Sequence, residues 1–210
     1  MIDKGKIEQL GQITKFSVFG KKIYELTKRP DVKKIFEIGT TWGVGTTLCI
    51  YDGIINKKEF NVISIDCRLD RVVNARKNLL LIPLENFEIL HGTITTFDEL
   101  NSLVDKFPNL PERDWILDDL KYLKDTPNIF NKLPEKLDLV VIDGGEFSGW
   151  IEFNKLWQRS RFIVLDDTAS YKHERSRQFI LDNPVIFKIL YDDPVSRNGE
   201  MICENKNYKL

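Results

Sequence analysis

Glu37-Ile38-Gly39-Thr40-Thr41-Trp42-Gly43-Val44-Gly45-Thr46-Thr47 is the stretch that decides the fold. Lys34-Ile35-Phe36 before it reads as the end of a buried strand, and Leu48-Cys49-Ile50-Tyr51 after it as the first turns of a helix. Glycines at 39, 43 and 45 permit positive φ and let a ligand approach the backbone where a Cβ would collide. The helix that follows offers N–H groups with no intrahelical partner. Strand, glycine loop and helix together describe a cofactor cradle, with a plain glycine-rich turn in an α/β sheet as the alternative. The spacing matches neither the G-x-G-x-x-G of nicotinamide-binding loops nor a P-loop.

Working outward, residues 7–28 have a helical pattern, with Ile7, Leu10 and Ile13, then Val18, Phe19, Ile23 and Leu26, at helix-like intervals. Gly20 interrupts that pattern and Pro30 ends it. After the loop, Asn61-Val62-Ile63-Ser64-Ile65-Asp66 reads as a second buried strand. A carboxylate at that strand tip, about twenty to thirty residues after a glycine turn, is where a doubly wound sheet binds ribose hydroxyls. Asp66 could instead cap the next helix, although Asp70 is also available for that. Phe87-Glu88-Ile89-Leu90 is a third strand, with His91-Gly92-Thr93 at its tip. Residues 96–133 are too long for a plain connection and carry two helical patterns, so they read as a helical insertion in which Asp118-Asp119 is solvated charge.

Two further strands end in acid: Leu137–Ile142 before Asp143-Gly144-Gly145-Glu146, and Arg161–Leu165 before Asp166-Asp167-Thr168. Between them Trp150, Phe153, Asn154 and Trp157 have the spacing of a helix face packed on the sheet. Right-handed crossovers put all these strand tips on one rim. Asp143, Asp166 and Asp167, with Glu146 nearby and no matching run of Lys or Arg, would repel one another without a proton or cation among them. Oxygen donors suit Mg²⁺, with Mn²⁺ or Ca²⁺ as alternatives, unless the carboxylates cap helices or hold substrate hydroxyls directly. A helix from Lys172 to Asp182 and two strands joined through Asn198-Gly199 then close the sheet with an antiparallel hairpin.

Composition limits the function classes. The chain has 210 residues, 42% of them hydrophobic, enough for one α/β core in a single domain, 1–210, with 1–30 as its N-terminal helical segment. Its 31 basic and 32 acidic residues give a net charge of −1, so no global field invites nucleic acid or anionic membrane. Cys49, Cys67 and Cys203 show no C-x-x-C spacing and fit a reducing cytoplasm. No apolar run reaches membrane-spanning length, and the first residues lack a signal-peptide core. The expected partners are a small-molecule or glycan substrate, with homo-oligomerisation left open.

The glycine loop, Asp66 and the final hairpin together resemble a class I S-adenosylmethionine-dependent methyltransferase. Val141 to Gly149, Val164 to Thr168, Lys172 and Arg197-Asn198-Gly199 resemble the branch often associated with bacterial polysaccharide biosynthesis, similar to cephalosporin hydroxylase-like proteins and methyltransferase 24. The resemblance implies a Rossmann-like fold, with a mostly parallel seven-stranded sheet, a C-terminal hairpin and helices on both faces. It implies that Gly39, Thr40, Thr41, Trp42 and Gly43 hold the methionine moiety and that Asp66 binds the ribose. Glu37 would support the loop or the methionine amino group, with Cys67, Gly92, Thr93 and Asp143 completing the cofactor site. Asp143, Asp166 and Asp167 would be cation ligands for Mg²⁺ or Mn²⁺. Thr41 replaces a common middle glycine, Thr93 a common acidic adenine contact, and Glu146 a common histidine.

The expected chemistry is methyl transfer to a hydroxyl of a sugar or glycan precursor. The acceptor oxygen must lie about 3 Å from the sulfonium methyl, in line with the S–C bond and away from water. A cation at Asp143 would lower the hydroxyl pKa, while Glu146, or behind it His173 or Lys172, would remove the proton. Another polar or aromatic acceptor, a nicotinamide-dependent oxidoreductase and a non-catalytic nucleoside-binding protein are the alternatives.

Overall fold

The computed structural model describes residues 13–79, 85–109 and 111–209. Its centre is one seven-stranded sheet in the order β3-β2-β1-β4-β5-β7-β6. The strands are β1 (Lys34–Ile38), β2 (Asn61–Asp66), β3 (Phe87–His91), β4 (Leu137–Ile142), β5 (Ser160–Asp166), β6 (Phe187–Asp193) and β7 (Glu200–Asn205). The first five run parallel, while β7 lies antiparallel between β5 and β6. Chain order reverses between β1 and β4, so the crevice at their carboxyl ends is the topological switch point of the sheet. Ile38 is in register with both Ile65 and Ile142, and Ile142 with Leu165, which brings four strand tips level.

Alternation along the strands builds the two layers of core. Phe36, Ile38, Val140, Ile142, Ile163 and Leu165 point to the face covered by Phe153 and Leu156 of α6 (Gly149–Leu156) and Ile180 of α7 (Glu174–Asp182). Their neighbours Ile35, Leu139, Val141, Phe162 and Val164 point to the opposite face. There they meet Phe19, Ile23 and Leu26 of α1 (Val18–Lys28), and Cys49, Ile50 and Ile54 of α2 (Thr46–Ile54). Burial on both faces explains why these strands read as continuous apolar runs. A smaller layer, α3 (Leu69–Leu79), packs Val72 and Ala75 on Ile89.

The 96–133 stretch forms α4 (Phe97–Asn101) and α5 (Glu112–Leu123). Thr96 and Glu99 make a reciprocal cap at the start of α4, as the T-x-x-E spacing dictates. Leu100, Ile116, Leu120 and Leu123 gather with Phe147, fixing this helical pair over the loop after β4.

Local details correct several expectations. The N-terminal helix begins at Val18, capped by Ser17; residues 7–12 of the expected helix lie outside the described residues. Gly20 is not an interruption but part of the first turn, where a Cβ would stand 2.0 Å from the Thr14 carbonyl oxygen. Asn154 is exposed, so the buried face of α6 is Gly149, Glu152, Phe153 and Leu156 instead. The last helix starts at Glu174, leaving Lys172 and His173 in the turn before it.

Candidate active site

Two adjoining cavities open along the carboxyl rim of the sheet, and Gly39, Arg71, Asp143 and Gly144 line both. The two cavities measure about 190 and 380 Å³. The shared wall follows from glycine. Gly39 has φ +97°, and a Cβ there would lie 2.0 Å from the Asp143 carbonyl oxygen. Only glycine lets the tips of β1 and β4 approach this closely.

The glycine loop is held from beneath by buried polar groups. Glu37 is fully enclosed and accepts from Thr46 Oγ1 at 2.6 Å and from Ser64 Oγ, which in turn meets Thr40 Oγ1. It therefore ties β1, β2 and the start of α2 together and lines neither cavity. Burial pushes its carboxyl up to about 7, against the pull of the Ser64 and Thr46 hydroxyls. Thr41 adopts φ +53°, the conformation expected of the glycine it replaces; its N–H donates to Asp66 Oδ2 at 2.9 Å and its hydroxyl to the Gly39 carbonyl at 3.1 Å.

The first cavity lies between the tips of β2, β3 and β4 and under α5. Its lining includes Asp66, Cys67, Gly92 and Thr93, with Tyr122 at the α5 side. Asp66 also accepts from the Arg68 N–H at 2.9 Å, so it caps the turn into α3 and pins the glycine loop at once. Burial raises its pKa, with the Arg68 N–H opposing. Cys67 is a thiol pushed up to about 12 by burial and by Asp66, which keeps it an apolar wall rather than a nucleophile.

Two acids here were missed in the sequence. Asp119, expected to be solvated, lines the cavity and is pushed up to about 6 by burial and by Asp118. Glu152 is almost fully enclosed, with Oε2 lacking a hydrogen-bond partner, and burial pushes it up to about 7. The signal was there: Glu152 shares a helical stripe with Gly149 and Leu156, and Asp119 one with Ile116 and Leu123, so each is an acid on an apolar face.

The second cavity is lined by Thr40, Thr41, Trp42, Gly45 and Thr46 on the loop side and by Asp143, Asp166, Asp167, Lys172 and Arg197 on the other. Trp42 is half exposed at its edge. Gly45 provides no side-chain cap to α2, so the first turn of that helix presents its positive end at this cavity. Asp143, Asp166 and Asp167 each offer an oxygen within 4.8 Å of the others. Burial raises Asp143, and burial with the charges of Asp143 and Asp167 pushes Asp166 up to about 7.

The expectation that these acids lack basic partners is overturned. Lys172 Nζ lies 2.9 Å from Asp143 Oδ1 and 2.6 Å from Asp167 Oδ2, and Arg197 Nη2 lies 3.1 Å from Asp166 Oδ2. An oxygen donor set of this kind suits a hard cation, but the place between two of its three carboxylates is already taken by an ammonium group. The residues present therefore do not fit a resident Mg²⁺ or Mn²⁺.

The base candidates are corrected too. Burial works against the charge on Lys172, yet Asp143 and Asp167 more than offset it and hold the group protonated. His173 is wholly enclosed, its Nε2 donating to the Ile142 carbonyl at 3.1 Å; burial and Lys172 push it down to about 3. It is a neutral structural group. Glu146 is half-buried on the loop after β4 and lines neither cavity. Backbone strain concentrates at this rim: the non-glycine residues with positive φ among those described are Thr41, Asp167, Arg197 and Asn198.

No family model matches the sequence, and no curated protein matches it. Solved structures do. An O-methyltransferase from Bacillus cereus bound to S-adenosylhomocysteine superposes with a TM-score of 0.63 at 17% identity, over 98% of this chain and 93% of that one. The fold is the Rossmann-like methyltransferase fold. The Podospora anserina methyltransferase PaMTH1, also S-adenosylhomocysteine-bound, gives 0.58 at 14% identity over 89% and 77% of the two chains. TomG of Streptomyces achromogenes, an O-methyltransferase of tomaymycin synthesis bound to S-adenosylmethionine, gives 0.57 at 12% over 89% and 78%. The expected seven-stranded sheet with its terminal antiparallel hairpin is thus borne out; at these identities the likeness is one of fold. Among the described residues no helix is long and apolar enough to cross a membrane.

Proposed function

We propose that this protein is an S-adenosylmethionine-dependent O-methyltransferase whose acceptor is a hydroxyl of a sugar or glycan precursor, in the polysaccharide-associated branch. One observation carries the reading. A cavity containing Asp66 and a polar cavity containing the carboxylate triad share Gly39 and Asp143, so a sulfonium at that wall would face an acceptor in the second cavity. In the first, Asp66 would take the ribose hydroxyls, while Gly92, Thr93 and Cys67 flank the base, and Asp119 supplies the acidic group absent from position 93. In the second, the loop and the positive end of α2 would receive the methionine carboxylate.

Transfer breaks the S–C bond and forms a C–O bond, the sulfur keeping the electron pair and the acceptor hydroxyl losing a proton. Asp143 or Asp167 would take that proton, a reading supported by Lys172 Nζ contacting both. Polar walls favour a hydroxylated acceptor over a flat apolar one, and TomG, PaMTH1 and the Bacillus enzyme support the donor class. Isothermal titration with S-adenosylmethionine, then transfer of labelled methyl to a panel of sugars and nucleotide sugars, tests the proposal. Failure to bind the donor rejects it; binding with transfer only to aromatic hydroxyls rejects the sugar acceptor.

A further inference from the structure

The acidic rim carries its own cation. We infer that the Lys172 ammonium is a built-in replacement for a divalent ion at Asp143, Asp166 and Asp167, so that the site works without a metal. This rests on the second cavity being the place of methyl transfer.

Three independent features support it. The first is occupancy: Nζ bridges Asp143 Oδ1 and Asp167 Oδ2, at 2.9 and 2.6 Å, while Arg197 takes Asp166. A divalent ion bound to the same two oxygens, at about 2.0–2.1 Å for Mg²⁺, would need the volume that Nζ fills and would face its charge. The second is delivery. Lys172 is 6% exposed, and its turn is clamped where Gly149 passes: a Cβ on Gly149 would stand 2.1 Å from the Lys172 carbonyl oxygen. Ser170 Oγ accepts from the Lys172 N–H, and the enclosed His173 ring anchors the next residue to β4. The third is strain: Asp167 takes φ +56° in the segment that brings its carboxylate to the ammonium. A solvated surface lysine that happened to lie near acids would show none of this.

The test is a gain of binding. Mn²⁺ titration of the full chain, followed by electron paramagnetic resonance and calorimetry, should show no saturable site in the wild type below millimolar concentration. Lys172→Met, one atom shorter and uncharged, vacates the Nζ position while keeping the apolar stem, and should bind Mn²⁺ at least tenfold more tightly, with a metal-dependent rise in Tm that Asp166→Asn removes. Stoichiometric wild-type binding abolished by Asp166→Asn would overturn the inference, as would a Lys172→Met protein with no tighter binding. Should Lys172→Met not fold, Lys172→Ala refolded with and without Mn²⁺ gives the same contrast, and the wild-type titration stands alone in either case. A parallel S-adenosylhomocysteine titration separates the two readings: loss of that binding in the wild type sinks methyl transfer, whereas only the Mn²⁺ result bears on Lys172.

Discussion

Two sets of buried and half-buried acids flank Gly39, and the protein surrounds them differently. On the side proposed for the nucleoside, no ammonium or guanidinium among the described residues is bound to Asp119 or Glu152, and burial raises their pKa values to about 6 and about 7, toward the neutral acid. On the side proposed for the acceptor Asp143 and Asp167 share Lys172, and Asp166 pairs with Arg197. Acids without a basic partner, which take up a proton more readily, suit the base and sugar of a nucleoside, which offer neutral donors and acceptors. Paired charges suit a step in which a proton must leave a hydroxyl and a sulfonium must lose its charge. The contrast shows that carboxylate count alone does not define a metal site; the partners do.

The largest effect expected is at the wall between the two sides. Gly39→Ala would combine a positive φ with a Cβ 2.0 Å from backbone, where nothing soft can yield. A loss of about 3 kcal/mol or more in stability, read by urea denaturation, and loss of S-adenosylhomocysteine binding are expected. Wild-type stability in the variant would mean that the two cavities are not joined as described.

Next comes Asp143→Asn, which removes a charge from the acceptor side but keeps the shape of the shared wall. Methyl transfer should fall by about 10²-fold or more, the usual scale for a lost proton acceptor. S-adenosylhomocysteine affinity should stay within about tenfold. Equal loss in both would assign Asp143 to cofactor binding alone.

A smaller, pH-resolved effect belongs to Glu152. Its folded pKa, about 7, is above the ordinary glutamate value of 4.5, so the native state keeps the proton more tightly than the unfolded chain does. Its contribution is fully present below pH 4.5 and is lost as pH rises through 7. Glu152→Gln cannot lose a proton, so its stability relative to wild type should climb across that window, by up to about 3 kcal/mol. Denaturation midpoints at pH 5 and pH 8 measure it. A pH-independent difference would place a charged Glu152 in the folded protein.

Much of this was legible in the sequence because it is local. Glycine spacing, apolar strand runs and acids at strand tips are set within a few residues, and the strand-end rule carries Asp66, Asp143, Asp166 and Asp167 to one rim without further information. Charge balance is local only in part, where Lys172 meets Asp167 five positions away. Lys172 reaches Asp143 across 29 positions and Arg197 reaches Asp166 across 31, so neither pairing shows in any window of sequence. His173 misleads for the same reason: beside a reactive-looking lysine it reads as a base, but the packing that turns it inward to Ile142 is decided by α6 and β4. Asp118 and Asp119 are the sharpest case: both border the first cavity, yet Asp118 is exposed while Asp119 is half-buried, a difference that two adjacent identical residues do not announce.

The smallest effect expected is at Thr41, and it sharpens the comparison because this residue serves both sides. Its N–H holds Asp66 of the first cavity, while the residue itself lines the second. A β-branched residue at φ +53° costs about 1–2 kcal/mol relative to an unstrained position, and glycine removes that cost. Glycine also gives the unfolded chain more freedom, worth about 0.4–1 kcal/mol against folding, and it forfeits the hydroxyl bond to Gly39. The terms nearly cancel, so Thr41→Gly should shift stability by less than about 1 kcal/mol, with S-adenosylhomocysteine affinity changed by less than about threefold. Thr41→Pro is the contrasting variant: it fixes φ near −65° and deletes the N–H that Asp66 accepts, so binding should be lost. If glycine were as harmful as proline, the threonine hydroxyl rather than the left-handed turn would be what shapes the cradle.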